Sequence, residues 1–308
     1  MKKLIGHLDV QKQLNQLFET GRVPHAIMLH GAKGIGKRLI AEAFARRLLC
    51  GPSNDLLGGG DLLTFDEGHE LFPQIEAAST PDYLLIEPEE GKKEISVKIV
   101  REKLKNLSLS SDGKRIVIID AADQMNSNSA NALLKTLEEP GEGVHIILIA
   151  HSLSNILPTI VSRCRQFRVS NLTNTQVAEV LKTADDKKTP VEIDILVELA
   201  AGCPGEALRL GKDGEDILKM IDTYLSRAST LEAINLSEKF QQKKVSPLAL
   251  ELLLKRIAMR AKSNPQNAHK WAQIYQNLDD KRRNMEIYNL SPQLVLETCL
   301  MDVISTNS

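Results

Sequence analysis

Hydrophobic positions follow two patterns along the chain, and the change from one to the other gives the first division of the sequence. Over the first half, short apolar runs alternate with stretches of helical spacing. Val10, Leu14, Leu17 and Phe18 recur at i, i+4, i+7 and i+8, one face of a helix. Residues 26–30 (AIMLH) form a short run of buried-strand type. The glycine-rich stretch 31–36 breaks it, and Leu39, Ile40, Ala43, Phe44 and Leu48 then mark a second helical face. Residues 83–87 (YLLIE) read as a strand, and Val97, Val100, Leu104 and Leu107 as a helix. Residues 116–120 (IVIID) read as a strand ending in a carboxylate, residues 129–139 as a helix stopped by Pro140, and residues 146–149 (IILI) as a fourth strand. Strands that are apolar throughout and separated by helices predict a parallel sheet covered on both faces. The fold class is α/β.

Residues 51–81 interrupt the alternation. They carry Gly58, Gly59 and Gly60, several acids and little periodicity, and read as an insertion or mobile loop. After about residue 169 the spacing is almost entirely helical. The expected division is an α/β domain over 1–169, a small helical domain over 170–212 and a larger helical domain over 213–308. Residues 247–262 (PLALELLLKRIAMRAK) give the strongest helix, best explained as the core of a bundle rather than a membrane-surface helix.

With 308 residues the chain is long enough for two or three domains. Charge narrows the partners: 39 Lys+Arg against 40 Asp+Glu leave no global basic field for a polyanion. Aromatics at 4% argue against base-stacking platforms. Cys50, Cys164, Cys203 and Cys299 are far apart and share no metal-ligand spacing, so reduced thiols are expected rather than a disulfide frame or a zinc site. With no signal-like or membrane-spanning run, the expectation is a cytoplasmic protein with no membrane partner.

The chemistry concentrates in residues 31–38, GAKGIGKR. They come one serine or threonine short of the phosphate-binding loop G-x-x-x-x-G-K-[ST], between an expected strand and an expected helix. Gly31, Gly34 and Gly36 allow backbone N–H groups to turn toward phosphate oxygens, and Lys37 reaches the outer phosphates. Arg38 stands where a hydroxyl would ligate Mg²⁺, and a guanidinium cannot coordinate a cation. Residual ATP, ADP or phosphate binding and a fold relic are both open readings of this loop. Asp120 ends the third expected strand, where a metal-linked carboxylate belongs, and Asp123 is expected to point elsewhere.

Residues 113–140, GKRIVIIDAADQMNSNSANALLKTLEEP, together with Ser162-Arg163-Cys164, resemble the clamp-loader subunits of bacterial DNA polymerase III, members of the AAA+ group. The resemblance implies an AAA+ parallel-sheet nucleotide domain, a lid over 170–212 and a collar over 213–308. It is weak over the collar. Such ATPases normally follow the strand carboxylate with a glutamate, where this chain has Ala121, and place an arginine where it has Gly205. Within the family these departures point to the delta-prime type rather than the gamma/tau ATPases. The implied role is non-catalytic. Arg163 would be presented in trans, as an arginine finger, to ATP on a neighbouring subunit, and no cofactor of its own would be required. The alternative for Arg163 is a pairing with an acid at the sheet edge or cover for a helix end. The implied partners are gamma/tau and delta subunits in a hetero-pentamer, with the sliding clamp and primer-template DNA met mainly through the complex. The family's four-cysteine zinc module is reduced here to Cys50, and no zinc is expected. As a holoenzyme component the chain would fall under DNA-directed DNA polymerase (nucleotidyltransferase) activity. Two readings compete: an active gamma/tau-like ATPase with an unorthodox Mg²⁺ site, and a nucleotide-binding regulatory module.

Overall fold

The computed structural model describes residues 4–53, 62–89, 91–92, 94–105, 113–185, 190–227, 229–263 and 265–307. Gly58, Gly59, Gly60 and Leu107 lie outside them. The chain divides into two compact units, Met1–Ala184 with Ala201–Gly205, and Asp185–Ala200 with Glu206–Ser308.

The first unit is built on five parallel strands: β1 (Ala26–His30), β2 (Tyr83–Ile86), β3 (Arg115–Ile119), β4 (Val144–Ala150) and β5 (Arg165–Arg168), in the order β2-β3-β4-β1-β5. Alternate side chains of the central strands enter two different cores. Ile27, Leu29, Ile116, Ile118, Ile147 and Ile149 pack on one face. Met28, Val117, Ile119, Ile146 and Leu148 pack on the other. Each such side chain contributes about 1.5–3 kcal/mol on burial. This is why β1, β3 and β4 are apolar at nearly every position.

Helices α1 (Leu8–Glu19), α2 (Lys37–Cys50), α3 (Phe72–Glu76), α4 (Val97–Lys105), α5 (Ser127–Glu138), α6 (Pro158–Val161) and α7 (Asn174–Ala184) complete this unit. α5 starts two residues before the expected Ser129 because the Asn126 side chain caps it, accepting from Ser129 N–H at 3.0 Å. The described part of 51–81 is more organised than its sequence predicts. It contains α3, and residues 62–66 are tied down on two sides. Arg47 Nη1 donates to Thr64 O at 2.6 Å, and Leu63 N–H donates to Gln11 Oε1 at 3.4 Å. β5 was not expected at all; it lies at the sheet edge with only Phe167 of its four side chains buried.

The second unit contains α8 (Pro190–Ala200), α9 (Pro204–Arg227), α10 (Thr230–Gln242), α11 (Ser246–Ser263), α12 (Ala268–Tyr288) and α13 (Pro292–Asn307), with Pro204 and Gly205 of α9 belonging to the first unit. α11 supplies Leu250, Leu252, Leu253 and Ile257 to a core shared with Leu278 of α12 and Leu296, Cys299 and Leu300 of α13. Arg256 grips Asp222 with two bonds of 2.6 and 2.8 Å, and Tyr224 Oη donates to Leu300 O at 2.7 Å. The expected boundary between residues 212 and 213 falls inside α9, which runs through it unbroken. No described helix is long and apolar enough to cross a membrane.

Candidate functional site

The glycine-rich loop joins β1 to α2 at the carboxyl edge of the sheet, as its sequence predicts. Gly34 and Gly36 take φ of 78° and 103°, values that a side chain disfavours. Lys37, the first residue of α2, is 3% exposed. Its Nζ donates to Gly31 O at 2.8 Å and to Ala32 O at 2.6 Å, so the ammonium closes the loop on itself. Burial pulls its pKa down to about 8, with the carboxylates of Asp123 and Asp120 opposing. Two further groups hold the loop. His7 Nε2 lies 2.7 Å from Ile35 O, and Gly205 N–H donates to Gly34 O at 2.8 Å.

Arg38 takes an unusual set of partners. Nε donates to Glu42 Oε1 at 2.9 Å, and Nη1 donates to Glu87 Oε2 at 2.6 Å and to Asp120 Oδ2 at 3.3 Å. Partial burial opposes its charge, but the hydrogen bonds to Glu42 and Glu87 and the charges of Glu87 and Asp120 raise its pKa further. A guanidinium is therefore bound to the strand carboxylate that a metal ion would need. Ala121 follows in the left-handed region with φ of 62°, and the 3₁₀ turn Ala122–Gln124 folds the chain back. Asp123 consequently faces the same side as Asp120, contrary to expectation. Its Oδ1 accepts from His151 N–H at 2.9 Å, and its charge acts on Lys37. His151, at the end of β4, was not singled out by its sequence; its Nδ1 is buried without a hydrogen-bond partner, and burial lowers its pKa.

These residues do not fit magnesium-dependent hydrolysis. The hydroxyl ligand is replaced by a cation, that cation is bonded to Asp120, and Ala121 offers no carboxylate to take a proton from water. At the third departure, a Cβ on Gly205 would stand 2.8 Å from Gly34 Cα, so no side chain fits there without displacing the loop. Cys50 ends α2 as a buried thiol whose pKa burial raises. Among the described residues no group of three or more His, Cys, Asp and Glu is placed to hold a metal ion.

Ser162-Arg163-Cys164 lies on the opposite edge of the sheet. β5 runs parallel to β1 with Ile27 beside Arg165 and His30 beside Arg168. Residues before Arg165 therefore approach the amino edge, while the glycine loop leaves the carboxyl edge; the paired strand segment alone separates the edges by about 10 Å. The three residues of the triplet have different surroundings. Ser162 Oγ donates to Thr159 O at 3.2 Å. Cys164 is buried in the core, which raises its thiol pKa to about 12. Arg163 reaches outward, Nη1 donating to Thr159 O at 2.9 Å and Nη2 pairing with Glu138 Oε1 at 2.8 Å. Arg163 thus has an acid partner at the end of α5 and a carbonyl partner in α6 within its own chain.

The basic cluster Lys281-Arg282-Arg283 is matched by acids: Lys281 pairs with Asp302, and both arginines pair with Asp279.

The parallel order β2-β3-β4-β1-β5, with a phosphate-type loop after β1 and a carboxylate after β3, defines an AAA+ nucleotide fold. Fold comparison agrees: a DNA polymerase III gamma subunit-related protein of Thermotoga maritima superposes with a TM-score of 0.53 at 18% identity, over 98% of this chain and 100% of that one. The family model described as DNA polymerase III, delta subunit matches residues 6–173, and the chain belongs to that family. Among curated relatives, DNA polymerase III subunit delta' of Pseudomonas aeruginosa is 35% identical over 238 residues, 76% of this chain and 67% of the relative. The subunit delta' of Haemophilus influenzae is 30% identical over 243 residues, 75% and 70% of the two chains.

Proposed function

We propose that this chain is a delta-prime-type, non-catalytic subunit of the DNA polymerase III clamp loader, and that it supplies Arg163 to the ATP site of a neighbouring ATPase subunit. The observation that carries the reading is the position of Arg163. It approaches the amino edge of the sheet, away from the chain's own phosphate loop at the carboxyl edge, which supports a role toward a ligand held by another chain. A guanidinium presented there stabilises negative charge on a transferring phosphoryl group. The family's partners fit this role: gamma/tau and delta subunits in a hetero-pentamer, with the sliding clamp and primer-template DNA met through the assembly in the cytoplasm. The chain hydrolyses no ATP itself and needs no nucleotide, metal or zinc for its own fold.

The competing reading, an ATPase with a metal held by Asp120 and Asp123, gains from the turn that brings Asp123 toward Lys37. It loses more from Arg38, whose guanidinium is hydrogen-bonded to Asp120. Arg163→Ala in the reconstituted assembly tests the proposal. DNA-stimulated hydrolysis should fall about tenfold or more while the subunits still co-elute, since such arginines are worth about 10³–10⁵ at the site they serve. Unchanged hydrolysis, or loss of assembly, would make Arg163 a structural residue.

A further inference from the structure

We infer that Glu138 is a parking partner for Arg163. It neutralises the guanidinium in the free subunit and gives it up when a neighbour's phosphates are in place. The inference rests on the trans role proposed above for Arg163.

The two contacts that Arg163 makes within its own chain differ in kind. The Thr159 carbonyl, 2.9 Å from Nη1, fixes where the side chain sits and leaves its net charge intact. The Glu138 carboxylate, 2.8 Å from Nη2, cancels that charge. Positive charge is the property through which an arginine stabilises a phosphoryl group in transfer. A guanidinium in contact with a carboxylate presents a dipole rather than a cation to anything beyond it, so the productive state separates the pair.

The setting makes that separation easy. The Arg163 and Glu138 side chains are 37% and 50% exposed. An exposed pair of this kind biases an equilibrium by no more than about fivefold. A polyphosphate carries more charge than one carboxylate and displaces Glu138 as the assembly closes. The Thr159 contact need not break, so the guanidinium can exchange partners from a fixed pivot. Glu138 is the last residue of α5, and Pro140 follows closely, so its carboxylate hangs from a helix end that cannot extend further. Glu138 therefore acts as a weak brake on hydrolysis next door, set to be overcome when the ring and DNA bring the two subunits into register.

The test is a four-way comparison in the full assembly: wild type, Glu138→Gln, Arg163→Ala and the double variant, with ATP hydrolysis read with and without primed DNA. Glu138→Gln should raise DNA-independent hydrolysis about three- to fivefold and leave the DNA-stimulated rate nearly unchanged. The rise should vanish in the Arg163→Ala background. If Arg163→Ala lowers hydrolysis but Glu138→Gln lowers it too, or leaves it unchanged, parking is overturned and the trans role stands. A rise that persists without Arg163 also overturns parking, because Glu138 would then act by another route. If Arg163→Ala changes nothing, the trans role itself fails. A role for Glu138 in stability alone predicts no rise in any background.

Discussion

Two cationic corners of the same α/β unit are arranged in opposite ways. At the carboxyl edge, Lys37 and Arg38 are bound by their own chain: the lysine by two loop carbonyls, the arginine by three carboxylates. At the amino edge, Arg163 commits two of a guanidinium's five N–H donors, one of them to an exposed acid that a stronger anion can displace. A phosphate-loop spelling does not by itself leave its cations free for a ligand. What separates the two corners is how many groups of its own chain hold each cation and, for Lys37, how deeply it is buried.

The largest effect is expected at Lys37. The folded chain releases its proton near pH 8, whereas an unperturbed lysine does so near 10.5. Between those values the unfolded chain binds more protons, so stability rises as pH is raised through the window and the burial penalty is fully present below it. The contribution is about 3 kcal/mol. Urea unfolding from pH 7.5 to 10.5 should show this slope in the wild type and a flatter curve in Lys37→Met. Addition of inorganic phosphate should leave the wild-type slope unchanged if the ammonium is satisfied internally. A phosphate-dependent flattening would show that the loop still takes an anion, and the two corners would differ less than claimed.

A smaller effect is expected at Gly205. Gly205→Ala places a methyl group 2.8 Å from Gly34 Cα, and the displacement of the loop should lower unfolding free energy by about 1–3 kcal/mol. No change in the urea midpoint would mean that the loop is free to move, and that its closure is weaker than its hydrogen bonds imply. Smallest of all is Arg38→Thr. The side chain is 41% exposed, and losing its ion pairs should cost about 1 kcal/mol or less. No hydrolysis is expected despite the added hydroxyl, because Ala121 still offers no base. Turnover by this variant would locate the whole defect at one residue.

Much of this was legible in the sequence where one physical demand acts on one residue. β1, β3 and β4 are buried on both faces, so their apolar runs announced them. β5 was missed because an edge strand reading Arg-Gln-Phe-Arg buries only Phe167 and leaves no alternation to find. α3 was missed because five residues are too few for a helical period. The boundary expected at 212/213 falls in α9, which carries Gly211 and Gly214 in its interior at about 1 kcal/mol each relative to alanine. In the site, the sequence revealed what Arg38 cannot do but little of what it touches. Glu42 lies four residues along the same helix, while Glu87 and Asp120 come from distant strand ends. Asp123 was misjudged because its direction depends on a left-handed alanine at 121, which no residue preference announces. Glu138 could not be distinguished from Glu139 before the fold set one of them against Arg163.

The central claim is silence alone and help in company. Its most direct test is Mg-ATP hydrolysis by the purified chain, measured alone and after mixing with the partner ATPase and delta subunits. No turnover above background is expected from the chain alone, and turnover by the mixture is expected above that of the partners without this chain. Robust hydrolysis by the chain alone would show that Arg38 and Ala121 do not disable its site, and a non-catalytic role would be excluded.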